Sequence, residues 1–492
     1  MVFSSLIFIY LFLPLVLAGY YLMPGRLKNL FLFISSMIFF AWGGASYSLL
    51  LLASITFNYF IGKGIAFGKN RKSLLTTGVV LNLSLLAIFK YAAFFLESIN
   101  SSLKLVEVPP IPIPKIILPI GISFYTFQAM SYLIDVYRKE TEVQKSYIKL
   151  GLYISLFPQL IAGPIVRYHD IAEQLDKRKS DFERFSGGAI RFTLGLAKKV
   201  LIANNMAIIA DHIFTSPPEE VNFITAWIGI LAYTLQIYYD FAGYSDMAIG
   251  LSRMFGFEIP ENFNLPYISK SIREFWQRWH ISLSQWFMKY LFLPLAYSMS
   301  RKLDKHYYAG IRADKVIYMY AAGLTFILCG FWHGAAWNFV VWGAFHGVFL
   351  IIEKLGFEKL LKKSWKPLRH LYVLMVIMMS WVLFRAESFD HAFSYYTVLF
   401  GFNGLHLSDM DLIMKINSEI IFYAGIGLIG ALGFFPWIYK YGKAFYEKKA
   451  YPGWIYDGSA LLWKMIFMLT VLLLSTGYLV SNSYNPFIYF RF

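Results

Sequence analysis

Read as a string of hydrophobic and polar positions, the chain is a succession of long apolar blocks joined by short polar ones. A run of about 17–25 apolar residues is long enough to cross the hydrocarbon core of a bilayer as a helix. Such runs fall at 4–23, 76–96, 116–137, 187–213, 224–250, 370–385, 418–438 and 461–481. Two longer ones, 30–62 and 316–352, have room for a pair of crossings each. The stretches 150–166 and 285–299 are too short, or too broken by proline and polar residues, to cross; they are predicted as re-entrant or interfacial pieces. The pattern predicts an all-α polytopic membrane protein of roughly ten to twelve transmembrane helices. No signal-peptide leader and cleavage site precede the first run, so it is expected to be retained as a span. No internal repeat or appended soluble domain interrupts the pattern, and residues 1–492 are expected to form a single integral-membrane domain.

Composition closes off the other classes. Apolar residues make up 58% of the chain and charged residues 15%, against about 25% charged in soluble domains. A water-soluble fold of this size could not hide that much apolar surface. The single cysteine, Cys329, excludes a disulfide scaffold.

A net charge of +16 would suggest nucleic acid in a soluble chain; here its distribution matters more. Lys63, Lys69, Arg71 and Lys72 share one loop without an acid. Six basic residues face one acid between Lys354 and Arg369, and Lys440, Lys443, Lys448 and Lys449 crowd another loop. Glu219 and Glu220 stand in a loop without a base, and 386–419 holds five acids against Lys415. Lysine and arginine bias marks the cytoplasmic side. Walking through the spans then puts the N-terminus and the C-terminal tail outside, and leaves no reason to expect a nucleic-acid partner.

Within this frame one apolar segment carries chemistry. The run 316–352 is flanked on both sides by basic loops, so it must enter and return. Its turn is expected near Cys329-Gly-Phe-Trp-His333-Gly-Ala-Ala-Trp-Asn338, with Gly330 and Gly334 allowing a bend or a close helix approach. That places His333 deep in the bilayer. An ionisable group there is expensive and is a functional candidate. Histidine suits general acid–base work because its ordinary pKa of about 6.5 lies near neutrality. The competing reading is a neutral histidine satisfied by a backbone carbonyl. His346, in the return arm, reads as a packing residue.

Two further segments stand out. In Ser271-Ile-Arg-Glu-Phe-Trp-Gln-Arg-Trp-His280, residues Arg273, Trp276, Gln277 and His280 have the spacing of one helical stripe, with Arg278 off it. This is either an interfacial anchor or the wall of a site for an anionic ligand entering from the cytoplasm. Asp240 and Asp246, at the end of the 224–250 run, are costly near an apolar span unless paired, and Gly243 between them hints at a helix break. Gly243-Tyr-Ser245-Asp246 lacks the second glycine of a nucleophile elbow. His406-Leu-Ser-Asp-Met-Asp411 has the His-x4-Asp spacing of soluble acyltransferases but reads as coincidence in an outside loop. No Walker A, dinucleotide-binding or zinc-ligand pattern occurs, so no metal is expected.

Arg273-Glu-Phe-Trp-Gln-Arg-Trp-His280-Ile-Ser-Leu-Ser and Gly330-Phe-Trp-His333-Gly-Ala-Ala-Trp resemble the membrane-bound O-acyltransferase (MBOAT) family, in the branch of alginate O-acetyltransferase membrane subunits. The likeness continues through Met1-Val-Phe-Ser-Ser, Leu118–Gln128, Phe157–Arg167, Tyr239–Gly250, Glu261–Tyr267, Trp381–Glu387 and the ending Asn485-Pro-Phe-Ile-Tyr-Phe-Arg-Phe. Peptidoglycan O-acetyltransferase membrane subunits are also similar. The resemblance implies a ring of helices with re-entrant segments and a central tunnel, and transfer of an acyl group from a cytoplasmic thioester to a hydroxyl. It implies His333 and His280 as the catalytic histidines. Acetyl-CoA is then the expected acyl donor, docking along Arg273, Trp276 and Arg278, with Asp240, Asp246 and Asn338 supporting the scaffold. It further implies a bacterial cytoplasmic membrane, an SGNH-hydrolase-type extracytoplasmic partner and a polysaccharide as indirect acceptor, with membrane lipids around the chain. Transfer of D-alanine to teichoic acid from a carrier-protein thioester is the alternative within the family; transport or lipid flipping is the alternative outside it.

Overall fold

A computed structural model describes residues 1–217, 219–402, 416–434, 453–481 and 484–488. The Lys440–Lys449 loop, the His406–Asp411 string, most of the acidic 386–419 stretch beyond Phe402, and residues 489–492 of the ending lie outside them. The chain is helical almost throughout. Seven helices among the described residues are long and apolar enough to cross a membrane: Ala45–Phe67, Arg71–Leu105, Phe182–Thr215, Ala313–His333, Trp337–Lys363, Lys366–Arg385 and Leu462–Ser481. The residues divide into two compact units, 1–192 with 247–260, and 193–246 with 261–492.

In the first unit, helices Phe8–Leu22 (α1), Lys28–Ala41 (α2), Ala45–Phe67 (α3), Arg71–Leu105 (α4), Ile122–Arg138 (α5) and Tyr147–Ser155 (α6) follow in order. The 30–62 run is two helices, as its length predicts, separated at Trp42-Gly43-Gly44. Phe8, Phe12, Phe39 and Phe157 interlock as a phenylalanine core. Asn58 and Asn82 exchange amide hydrogen bonds of 2.9 and 3.3 Å between α3 and α4, satisfying two polar groups that lipid could not. Residues 150–166 are wholly buried and only partly helical. Irregular backbone at membrane depth is tolerated in such enclosure, so this stretch is interior to the unit and not an interfacial piece.

The second unit carries the candidate chemistry. Helices Phe182–Thr215 (α7) and Phe223–Met254 (α8) contribute residues to both units. Then come Ile272–Arg278 (α9), 281–300 (α10), Ala313–His333 (α11), Trp337–Lys363 (α12) and Lys366–Arg385 (α13). One prediction needs correcting here. Helix α8 runs unbroken through Gly243; a Cβ there would lie 2.7 Å from the Gly195 carbonyl oxygen, so the glycine serves close approach to α7 and not a break. The 285–299 stretch also stays helical. A π turn at Met288–Phe292 precedes Pro294, which falls in the first turn of the segment after it, where a missing N–H costs little.

Helices α11 and α12 form the hairpin that the flanking charges predict, with its turn at Gly334-Ala-Ala336. The arms touch at glycines. A Cβ on Gly330 would stand 2.1 Å from the Phe339 carbonyl oxygen and 2.9 Å from the Gly343 Cα. His333 is the last residue of its arm. At a rise of 1.5 Å per residue it stands about 27 Å along the axis from Lys315, close to the whole hydrocarbon thickness of about 30 Å. Protein encloses it: the residue is 8% exposed.

Candidate active site

His333 is built into an aromatic wall. Its ring makes edge contacts with Trp332, Trp342 and Phe384 at centroid distances of 4.8, 5.1 and 5.4 Å, and the residue is only 8% exposed. Trp342 comes from the return arm, Phe384 and Trp381 from α13. Asn338, at the start of α12, donates through Nδ2 to the carbonyl oxygens of Leu383 (3.2 Å) and Ala386 (2.9 Å). Those two bonds fix the hairpin turn against the C-terminal end of α13, and with it the ring of Phe384.

Beside His333 is a cavity of about 20 Å³ lined by Ile237, Phe241, Trp279, His333, Trp342, Trp381, Phe384 and Ile488. That is room for about one water molecule. His333 is the titratable group of the lining; the other side chains are apolar or aromatic. A nitrogen base facing a nearly dry, aromatic space is an arrangement in which proton transfer competes little with bulk water.

His280 occupies a different setting. Helix α9 stops at Arg278, Trp279 is extended, and His280 takes a left-handed backbone conformation, φ +44°. Helix α9 therefore carries Arg273, Trp276 and Gln277 of the expected stripe, and His280 lies beyond its end. The bend is set by residues 262–264, whose backbone pairs with it: Asn264 N–H to the Arg278 carbonyl, and Ile281 N–H to the Asn262 carbonyl, both 2.9 Å. A non-glycine residue held at positive φ stores strain that only its surroundings can impose.

Those surroundings also fix the imidazole. The Ser282 backbone N–H points at the Asn262 side chain at 3.2 Å, and its hydroxyl at 2.8 Å, so the atom they meet is the amide oxygen. The Asn262 Nδ2 donates to Ser245 Oγ at 3.0 Å. His280 Nδ1 lies 3.0 Å from the same Asn262 oxygen and so must carry the proton, leaving Nε2 as the basic nitrogen. The connection 279–281 lies between the membrane-spanning segments, and burial pushes the His280 imidazole down to about 3. A neutral histidine with its N–H committed to Asn262 accepts; it has no proton to offer an oxyanion. Its ring stacks edge-on against Phe241 at 4.6 Å and faces Trp332 at 6.3 Å. Phe241 is thus the ring shared by His280 and the His333 cavity.

The three residues predicted to hold an anionic donor are placed unequally. Trp276 is buried, and its Nε1 donates to His346 Nδ1 at 3.4 Å. Arg273 lies 3.7 Å from Glu358, and Arg278 pairs with Glu274 at 3.0 Å and donates to the Asn264 carbonyl. Both arginines are about a third exposed. Fully buried His346 sits among Trp276, Trp342 and Phe345.

Comparison with known proteins identifies the family. The family model of the membrane-bound O-acyltransferases matches residues 138–396, a stretch that includes His280, His333 and most of the cavity lining. The chain belongs to the membrane-bound O-acyltransferase family. A probable alginate O-acetylase AlgI of Azotobacter vinelandii is 40% identical over the full length of both proteins. A peptidoglycan O-acetyltransferase of Helicobacter pylori is 32% identical over 86% of this chain and 85% of its own. A teichoic acid D-alanyltransferase of Bacillus subtilis is 30% identical over 58% of this chain and 72% of its own.

This MBOAT chain is thus a multi-pass membrane O-acyltransferase. Several of its site residues carry no recognisable signal of their own. Asn262 stands in the quoted Glu261–Tyr267 string, yet nothing in the sequence says that it sets the tautomer of His280. Glu353, on α12, accepts the backbone N–H groups of Ile272 (2.7 Å) and Arg273 (3.1 Å) and so caps α9 from another helix. Asp240 and Asp246, expected as support, pair with Lys199 (2.8 Å) and Lys198 (2.6 Å) of α7.

Proposed function

We propose that the chain is an O-acetyltransferase of the bacterial cytoplasmic membrane, taking acetyl from acetyl-CoA on the cytoplasmic side for O-acetylation of an extracytoplasmic polysaccharide. The observation that carries the chemistry is His333 as the titratable wall of a nearly dry aromatic cavity. In this reading His333 takes the proton of an acceptor hydroxyl as its oxygen attacks the thioester carbonyl. The C–O bond forms, the C–S bond breaks, and the proton passes to the departing thiolate. His280 contributes an accepting nitrogen held by Asn262.

The names of the full-length relatives support acetyl over D-alanyl, since the D-alanyltransferase likeness covers a shorter part of the chain. The loop charges support an outside N-terminus and a polyanionic donor docking near Arg273 and Arg278. An SGNH-type partner outside the membrane would then carry acetyl to the glycan. His333→Ala and His333→Gln should lose acetylation of the polymer by several hundredfold or more, at normal membrane levels. The reading fails if either variant keeps wild-type acetylation, or if purified protein consumes a D-alanyl carrier thioester in preference to acetyl-CoA.

A further inference from the structure

Ile488 brings a late segment of the chain, residues 484–488, to the cavity. Ile488, 6% exposed, is one of the eight residues that line the space beside His333. Here the described residues of the segment are each tied down. The Ile488 backbone N–H donates to Asp240 Oδ2 at 2.8 Å. The other oxygen of Asp240 lies 2.8 Å from Lys199 Nζ, and both side chains are only 2% exposed. Lys199 also donates to the Pro486 carbonyl and, at 2.8 Å, to Asn204 Oδ1. Asn204 in turn donates to Asn485 Oδ1 at 3.2 Å. Phe487 stacks on Tyr244 at 4.7 Å, and the Tyr484 hydroxyl reaches Asp211, which also holds Arg385.

A lysine and a carboxylate taken wholly out of water are an expensive way to hold five residues. The arrangement makes sense if what they hold must be placed accurately. We propose that Ile488 determines the size of the acyl group this enzyme accepts, and that Lys199 and Asp240 are the positioning residues that set it at the cavity. The inference rests on the acyl-transfer reading above for its substrate. Ile488 forms part of the cavity wall, and its side chain limits the acyl group that fits beside His333. Cutting the side chain to alanine removes three carbon atoms from the wall. Asp240 acts at one remove, through the N–H of Ile488.

The test compares acetyl-, propionyl- and butyryl-CoA as donors to purified full-length protein in nanodiscs. Ile488→Ala should raise the propionyl-to-acetyl ratio of kcat/KM about tenfold or more, the usual discrimination carried by one methylene in an apolar pocket. Asp240→Asn should move the same ratio in the same direction, a change that a general loss of fold does not produce. An unchanged ratio in Ile488→Ala, with wild type active on acetyl-CoA, overturns the proposal. Wild type inactive on all three donors overturns the acyl-transfer reading instead. The placement is checked independently of activity by Ile488→Cys in a Cys329→Ser background. That cysteine should resist a membrane-permeant maleimide until Asp240→Asn is added; labelling at the rate of an exposed thiol while Asp240 is intact overturns the proposal.

Discussion

Gly330→Ala tests whether the distance between the hairpin arms controls the chemistry at His333. The added methyl would stand 2.1 Å from the Phe339 carbonyl oxygen, and real Cβ contacts essentially never fall below 3.0 Å, so the arms must part by about 0.9 Å at that level. The obstacle is backbone on both sides, so no side-chain rotation relieves it. Overpacking of this kind costs about 1–3 kcal/mol. His333 lies three residues further along the same helix, and its ring is wedged between Trp342 of one arm and Phe384 of α13. A displacement near 1 Å at a reacting group lowers the rate by about 100-fold, or about 2.7 kcal/mol of barrier. The control is Gly323→Ala on the same helix, where the new methyl meets only Ile351 Cδ1 at 3.8 Å, an ordinary contact. Thioester turnover by purified protein, with expression and melting temperature measured alongside, decides the matter. Activity of Gly330→Ala within threefold of Gly323→Ala would refute the argument that the glycine contact positions His333.

Glu353→Ala should lower stability by about 3 kcal/mol, because two backbone N–H groups of α9 lose a charged acceptor inside the protein; a detergent melting curve that shifts by less than a degree would contradict the capping role. For His280 the pH dependence has a definite sign. Its imidazole is held neutral when folded, with a pKa of about 3, and takes up a proton near 6.5 when unfolded. It therefore contributes stability that is fully present above 6.5 and is lost as pH falls from there toward 3. Between pH 7.5 and 5 the loss is about 2 kcal/mol. His280→Gln should show a shallower fall of melting temperature over that range, and parallel curves for the two proteins would count against it.

What could be read in the sequence was whatever has a local or periodic cause. The apolar blocks follow from lipid as solvent, and the hairpin at 316–352 follows from its two basic flanks. Both histidines announce themselves because an imidazole is conspicuous among apolar or aromatic neighbours. Longer-range causes were not legible. The helix break before His280 depends on the backbone of residues 262–264, and its strained φ has no mark in the string Arg-Trp-His-Ile. Gly243 reads equally as a break or as a contact until α7 is seen against it. The bonds of Asp240 and Lys199 to residues 486–488 join positions 248 and 287 apart.

Lys199 lies in a π turn, Lys198–Ala203. Such a turn is a helix with one residue too many. The gene for this protein is consequently vulnerable in an unusual way. Loss of a single codon within 198–203 would leave the reading frame intact and the segment just as apolar, and would let the helix close into ordinary α geometry. The helix beyond would keep its register, because the π turn already absorbs the extra residue; the loss falls on Lys199, whose place beside Asp240 depends on that turn. A one-codon deletion there should impair the protein through this ion pair, while the same lesion in the exposed 301–306 connection should pass almost unnoticed.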